Sequence, residues 1–502
     1  MARFIMANRR AGLFTHGEKL RSREALNESF EARISRVSNT ISDHAGPNET
    51  SRRTILVEGD SQEIESLRKT VPSEVLIEPE ILHYSAIALP LDLAYMQQAK
   101  RKRALKIGEG SQMSIKIRGS GQEVEGAEVR LFLRGSFQLS NELVSYTDQN
   151  GNVEFNYSSF WSPAALIISP VGGFWRKIVR GPRDGQTIYL RRLPQGSYTS
   201  WWHRLHGINA FDVKRGNGVR VGVIDTGLGP HPNLAHANVQ GAYIDGQFDP
   251  DGGADVDSHG THVAGIIGAR PNNQGEYAGL APGVDLYTVR VFPPGQGANQ
   301  GDIVNAIDHL SIVNSCDLIN LSLGSSVGSD IEHDAIIDAI ERGTLCICAA
   351  ANDGIQPIDF PARFEETVGI SAIGLEGWGP DGSISSLNYP SEFEKFGYDN
   401  YYLASFSNFG PDLSGAGGGV GIISTVPERY GYVGPYAVMD GTSMASPAAC
   451  GALAAYLSRN QDYLAMPRDI TRAQRANDMF RAGARDLGLD SIYQGVGSPQ
   501  AI

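Results

Sequence analysis

From Gly218 onward, apolar strand-like runs alternate with helical segments: VRVGVID, HGTHVAGIIGA, DLYTVRVF, DIVNAIDHL, DLINLSLG, IEHDAIIDAIERG and TLCICAAA. Short apolar strands separated by helices cannot be joined as hairpins, because a helical crossover returns the chain parallel to the strand it left. The pattern therefore predicts an α/β domain built on a doubly wound parallel sheet, with helices on both faces. In such a sheet, chemistry gathers at the carboxyl ends of the strands.

That domain, taken as 195–502, leaves nearly two hundred residues upstream. At roughly 100–200 residues per domain, further units are expected there. Residues 1–50 read as a polar extension, weakly helical around Glu24 to Val37, and the segment ISDHAGPNETSRR reads as a linker. Residues 51–103 read as a small α/β unit: a strand over Thr54 to Val57, a helix over Gln62 to Lys69 and a strand over Val75 to Pro79. The run Lys100-Arg101-Lys102-Arg103 marks a boundary. From 107 to 192, short alternating stretches with Asn150-Gly151 as a hairpin turn predict an all-β sandwich.

The net charge of −13 argues against nucleic acid as a partner, since phosphate binding wants a concentrated basic face. No run reaches the ~18 apolar residues of a membrane span, so no membrane partner is expected. The first twenty residues lack the ~7–15-residue apolar stretch of a secretory signal. A cytoplasmic location is the expectation, with export by a signal-less route left open. Cys316, Cys346, Cys348 and Cys450 have no zinc-ligand spacing and read as buried free thiols.

Three residues carry chemistry together. Asp225 ends the apolar strand VGVI, His259 opens a helix at HGTHVAG, and Ser443 precedes an alanine-rich helix in GTSMASP. Singly, each is ordinary: an Asp-Thr-Gly turn, a satisfied histidine, a serine at a helix start. In the order Asp, His, Ser on a β/α background they form one constellation, and a helix start at the serine favours negative charge developing beside it.

The blocks DTG, HGTHVAG and GTSMASP resemble the signature blocks of the subtilisin-like serine protease family, and the resemblance runs from about Gln195 to the C-terminus. It implies a serine endopeptidase working through an acyl-enzyme. His259 takes the proton of Ser443 while Asp225 orients the imidazole, and His262 is structural. It also implies that Asn352 in AAANDG donates to the oxyanion with the Ser443 amide. Ala351 stands where the family usually has glycine. Ser322, Leu323 and Gly324 resemble the edge strand that pairs with a substrate backbone.

No cofactor is required by this chemistry, although the family often binds calcium at a loop like PNNQGEYAG. Asn272 and Asn273 fit that loop, whereas Asn233 replaces an aspartate, which weakens a calcium site. The same resemblance implies that Asp359 lines the floor of the primary specificity pocket with Asp353 at its mouth, and that Asp257 faces the neighbouring subsite. Their charge predicts basic or dibasic residues before the scissile bond, with self-processing after Arg103 or Arg192. The 51–103 unit resembles the family's cleft-occupying propeptide. The sandwich resembles carboxypeptidase-regulatory-like or immunoglobulin-like modules and is a candidate spacer, substrate-presenting or protein-binding module. The partner expected is a protein or peptide substrate. Two other classes stay open: a catalytically silent binding protein, and an esterase or acyl transferase using the same residues.

Overall fold

The computed structural model describes residues 2–9, 38–44, 54–69, 71, 75–85, 110–136, 139–428 and 435–502. In the strand Arg220–Asp225, Val221, Val223 and Ile224 are buried on both faces, as a central strand between two helical layers must be. Asp285–Arg290 and Leu318–Leu321 flank it in parallel register. Among the described residues, nine strands join this sheet. Its order runs Gln247–Asp249, Asn238–Ile244, Asp285–Arg290, Arg220–Asp225, Leu318–Leu321, Leu345–Ala349, Val368–Leu375 and Tyr401–Leu403, and Gly415–Gly418 also pairs with Val368–Leu375. Only the pairs Asn238–Ile244 with Gln247–Asp249 and Val368–Leu375 with Tyr401–Leu403 are antiparallel.

The two faces carry different helices because strand residues alternate. Val221, Val223, Leu318 and Ile347 pack on the helices His259–Gly268 and Thr442–Leu457. Ile224, Val289, Ile319 and Leu321 pack on Gln300–Asp308 and Asp330–Glu341. The helix Thr442–Leu457 has no polar face, and every residue but Tyr456 is buried, so it can only lie inside the domain. The four cysteines are free and buried, and burial pushes the Cys346 thiol up to about 12.

The reading of residues 1–50 as a polar extension needs correction. Ala2–Asn8 and Ser38–His44 are strands of the same antiparallel sheet as Thr54–Gly59 and Val75–Pro79, so part of the expected linker is also strand. Alternation explains it. Phe4 and Met6 join Ile55, Val57, Ile77 and the helix residue Ile64 in a small core, while Ile5, Ala7 and Leu56 face the catalytic domain. A lone FIM flanked by charges is too short to show this period in sequence. The helix expected over Glu24 to Val37 and the run Lys100 to Arg103 lie outside the described residues.

Between Gly110 and Leu190, two sheets of four strands each face one another across Ile115, Ile117, Val129, Leu131, Val153, Leu166 and Ile188. This unit abuts the catalytic domain through Trp175, whose ring meets Trp378 edge-on, and through backbone bonds at Gly173 and Ile178.

The helix Ile470–Ala482, near the C-terminus, is tied in by charge. Asp317, wholly buried before Leu318–Leu321, accepts from Arg472 Nε at 2.6 Å, from Arg468 at 3.2 Å and from the Arg220 amide at 2.8 Å. Removing one partner of a buried ion pair strands the other. Arg472→Met should therefore cost about 3 kcal/mol of unfolding free energy, read from the denaturant midpoint, with the circular dichroism of the folded state unchanged.

Candidate active site

Asp225 leaves the central strand at its carboxyl end, where the sheet opens. The His259 Nδ1–H donates to Asp225 Oδ1 at 2.7 Å, and the Thr226 amide donates to the same oxygen at 2.7 Å. Asp225 is 1% exposed and His259 is fully buried, so this bond acts in a low-dielectric setting. Burial alone would lower the imidazole's pKa; the Asp225 carboxylate outweighs it, with help from Asp257 and Asp255, and the net direction is up from 6.5.

The histidine's helix is set by a residue missed in the sequence. Asp255 Oδ1 accepts from the amides of Asp257 and Ser258 at 3.0 and 2.9 Å and from the Thr226 hydroxyl at 2.8 Å, while Oδ2 accepts from the Thr261 amide at 2.9 Å. One carboxylate thus joins the end of the central strand to the start of His259–Gly268. The signal was present as an aspartate just ahead of a helix start. Ser258 takes a left-handed φ of 83° to make that entry.

Ser443 is the second residue of Thr442–Leu457. Its hydroxyl donates to the Ser322 carbonyl at 3.1 Å, and the Ser322 hydroxyl returns a bond to the Ser443 carbonyl at 2.9 Å. His259 Nε2 has no hydrogen-bond partner among the described residues. The Ser443 hydroxyl is thus bonded to the Ser322 carbonyl rather than to the imidazole. The two helices that carry His259 and Ser443 pack against each other.

Asn352 follows the strand Leu345–Ala349. Its Oδ1 accepts from the Thr442 amide at 2.8 Å and hydroxyl at 2.9 Å, which commits the amide nitrogen to the other side. Ala351, where glycine was expected, sits at φ 87°, a backbone region that glycine adopts without strain. His262, as expected, is structural: its Nε2 lies 3.2 and 3.1 Å from the carbonyls of Ile422 and Ala437, and burial lowers its pKa to about 3.

The segment Ser322 to Gly324, which follows the strand Leu318–Leu321, is met by the N-terminal unit. Tyr84 pairs with Gly324 through bonds of 3.1 and 3.3 Å, and Leu82–His83 pairs antiparallel with Ala298–Asn299. A piece of the N-terminal unit thus lies as an extended strand between Gly324 and the 298–299 segment. Asp359 sits beside Gly324, next to the Ser325–Phe360 bridge, and burial followed by the nearby Asp353 pushes its carboxyl up to about 6. Asp257 is raised by burial foremost, with His259 opposing. Leu323 is buried in the core behind the strand.

In the Asn272–Asn273 loop, Glu276 takes the centre. Its carboxylate accepts from Asn233 Nδ2 at 2.8 Å, the Asn272 amide at 2.6 Å, and the Asn273 amide and side chain at 3.4 and 3.2 Å. The Tyr436 hydroxyl takes the remaining Asn233 oxygen. A hard cation needs several oxygens turned toward it; here the Glu276 carboxylate and the Asn233 side-chain oxygen are engaged by N–H and O–H donors.

Comparison with known proteins agrees with this geometry. A thermophilic serine proteinase from Bacillus sp. (strain AK1) is 32% identical over 55% of this chain and 60% of its own length. Subtilisin E from Bacillus subtilis (strain 168) is 33% identical over 56% of the chain and 64% of its own length. Subtilisin from Bacillus pumilus is 33% identical over 56% of the chain and 89% of its own length. The aligned part thus spans less than two thirds of the first two relatives. A model of the subtilase family matches residues 216–489, more than half of the chain, and takes in the strand end, both helices and the Ser322 to Gly324 segment described above: this chain belongs to the subtilase family.

Proposed function

We propose that the protein is a serine endopeptidase. The observation that carries this reading is the buried 2.7 Å bond from His259 to Asp225 at the open end of the sheet. It fixes the imidazole with Nε2 outward as the base. Ser443 attacks the peptide carbonyl, its proton passes to His259 Nε2, and Asp225 stabilises the imidazolium that forms. The Asn352 amide and the Ser443 backbone N–H receive the oxyanion. The leaving amine takes the proton from His259, and water then releases the acyl group by the same steps reversed. Retention of all four residues argues against a silent binding protein, and the strand-like groove beside Ser322 to Gly324 favours an extended peptide over a small ester.

Ser443→Ala or His259→Ala should lower peptide turnover by about 10⁶, the scale known for subtilisin, and Asn352→Ala by roughly 10²–10³. The check is steady-state hydrolysis of a peptide substrate, set beside an unchanged melting transition. Full turnover by Ser443→Ala would end the assignment.

Asp359, Asp353 and Asp257 give the groove an acidic lining, and we read them as favouring basic residues before the scissile bond. A carboxyl with pKa about 6 is charged above that pH and neutral below it. Selectivity for an arginine over a leucine at the bond should therefore fall as pH drops through about 6, and Asp359→Gly should shift preference toward apolar residues, both read as ratios of kcat/KM.

The N-terminal unit reads as an inhibitory propeptide. Besides Tyr84 in the groove, Glu78 accepts from the Ser329 hydroxyl at 2.6 Å and the Asp330 amide at 2.8 Å, so it caps the helix Asp330–Glu341 from outside. Processing at Lys100 to Arg103 would detach this unit, while Arg192 is held in a bridge with Phe174 that must open before a cut there. The sheet pair at Gly110 to Leu190 reads as a module bordering the groove, since Glu128 and Tyr146 lie within electrostatic reach of Asp257. A separate fragment of residues 1–85, added in excess to the processed enzyme, should slow hydrolysis, and Glu78→Ala should weaken that inhibition several-fold.

A further inference from the structure

Inside the catalytic domain, the carboxylate of Glu332 is buried in an unusual way. It belongs to the helix Asp330–Glu341, its side chain is 0% exposed, and Oε1 has no hydrogen-bond partner among the described residues. Oε2 accepts from His83 Nε2 at 3.2 Å, and the His83 side chain is also 0% exposed. His83 does not belong to the catalytic domain. It lies on the strand that fills the groove, one residue before Tyr84, so its imidazole enters a pocket of the catalytic domain as a substrate side chain would.

The ladder gives that pocket an address. Tyr84 faces Gly324 in antiparallel register, so in a peptide bound the same way the residue two further on faces Ser322. The Ser322 carbonyl is where the Ser443 hydroxyl rests, which makes the residue facing Ser322 the one whose carbonyl is attacked. The side chain in the position of His83 therefore belongs to the residue three before it, the fourth residue upstream of the scissile bond.

We propose that Glu332 is a specificity-determining residue that selects a basic side chain, arginine, lysine or histidine, at that fourth position. This rests on the peptidase reading above. A buried carboxylate with an oxygen unused is costly to leave unpaired once the N-terminal segment departs. A guanidinium or ammonium on the incoming peptide satisfies it by charge-assisted bonds, whereas a leucine leaves it bare. The remote basic contact adds to the acidic side chains at the scissile bond, and the chain's own Lys100-Arg101-Lys102-Arg103 places a basic residue at both positions.

The test uses the full chain and two peptides, Arg-Ala-Lys-Arg and Leu-Ala-Lys-Arg, each followed by the same leaving group. The N-terminal segment competes equally with both, so the ratio of their kcat/KM values reads the pocket alone. The arginine peptide should be preferred by roughly 10- to 100-fold. In Glu332→Gln, which keeps the shape and removes the charge, the ratio should fall to near one while the leucine peptide is still cut. A ratio near one in the unaltered protein, or a preference unchanged in Glu332→Gln, overturns the role of Glu332 and leaves the peptidase reading standing. Hydrolysis of neither peptide, nor of any control peptide, overturns both.

Discussion

Thr442 stands at the head of a helix that has nowhere to go but the interior, and its amide and hydroxyl both hold the side-chain oxygen of Asn352. Because Thr442–Leu457 is buried on nearly every side, its N-terminus is fixed by packing on the sheet and on His259–Gly268. Ser443, its amide and Asn352 are then placed relative to one another without any long flexible side chain. Preorganisation of this kind lets a few hydrogen-bond donors act on a developing charge without reorganising at the moment of reaction.

The other half of the site depends on a second fixed junction. Asp255 joins the end of the central strand to the start of the histidine's helix, so Asp225 and His259 meet at a bond set by backbone geometry. Beside them the strand Leu318–Leu321 contributes Asn320, which binds the Ser322 hydroxyl and accepts from Ser446. The Ser322 segment and the helix that carries Ser443 are thus parts of one hydrogen-bonded unit. Strain is concentrated nearby, in the left-handed backbones of Ser258 and Ala351, as is usual where a fold is shaped for a task.

On the reading proposed above, the N-terminal unit occupies the surfaces that a substrate would. It places Tyr84 on the edge strand, His83 over Glu332 and Glu78 on a helix N-terminus, while Ile5, Ala7 and Leu56 supply the apolar contact. Glu276 plays a comparable internal part at the Asn272–Asn273 loop, where one carboxylate gathers four donors and holds the turn by itself.

Much of this was legible in the chain. The β/α alternation from Gly218 required a parallel sheet, and the strand-ending Asp225, helix-opening His259 and Ser443 were each marked by local pattern, because strand ends and helix starts are written in a few neighbouring residues. What tertiary structure alone decided were the contacts between distant segments. The strand Ala2–Asn8 has no legible period until Thr54–Gly59 and Val75–Pro79 lie beside it. Asn233 read in sequence only as a residue standing in for an aspartate, and its bond to Glu276, 43 residues away, appears only in the fold. Glu332 looked like an ordinary acidic residue in a helix's first turn, and only the fold shows it wholly buried with His83, from a separate folding unit, on one of its two oxygens. Local sequence fixes φ, ψ and the pattern of burial along one element, but the surroundings of a charge depend on which elements the fold brings over it.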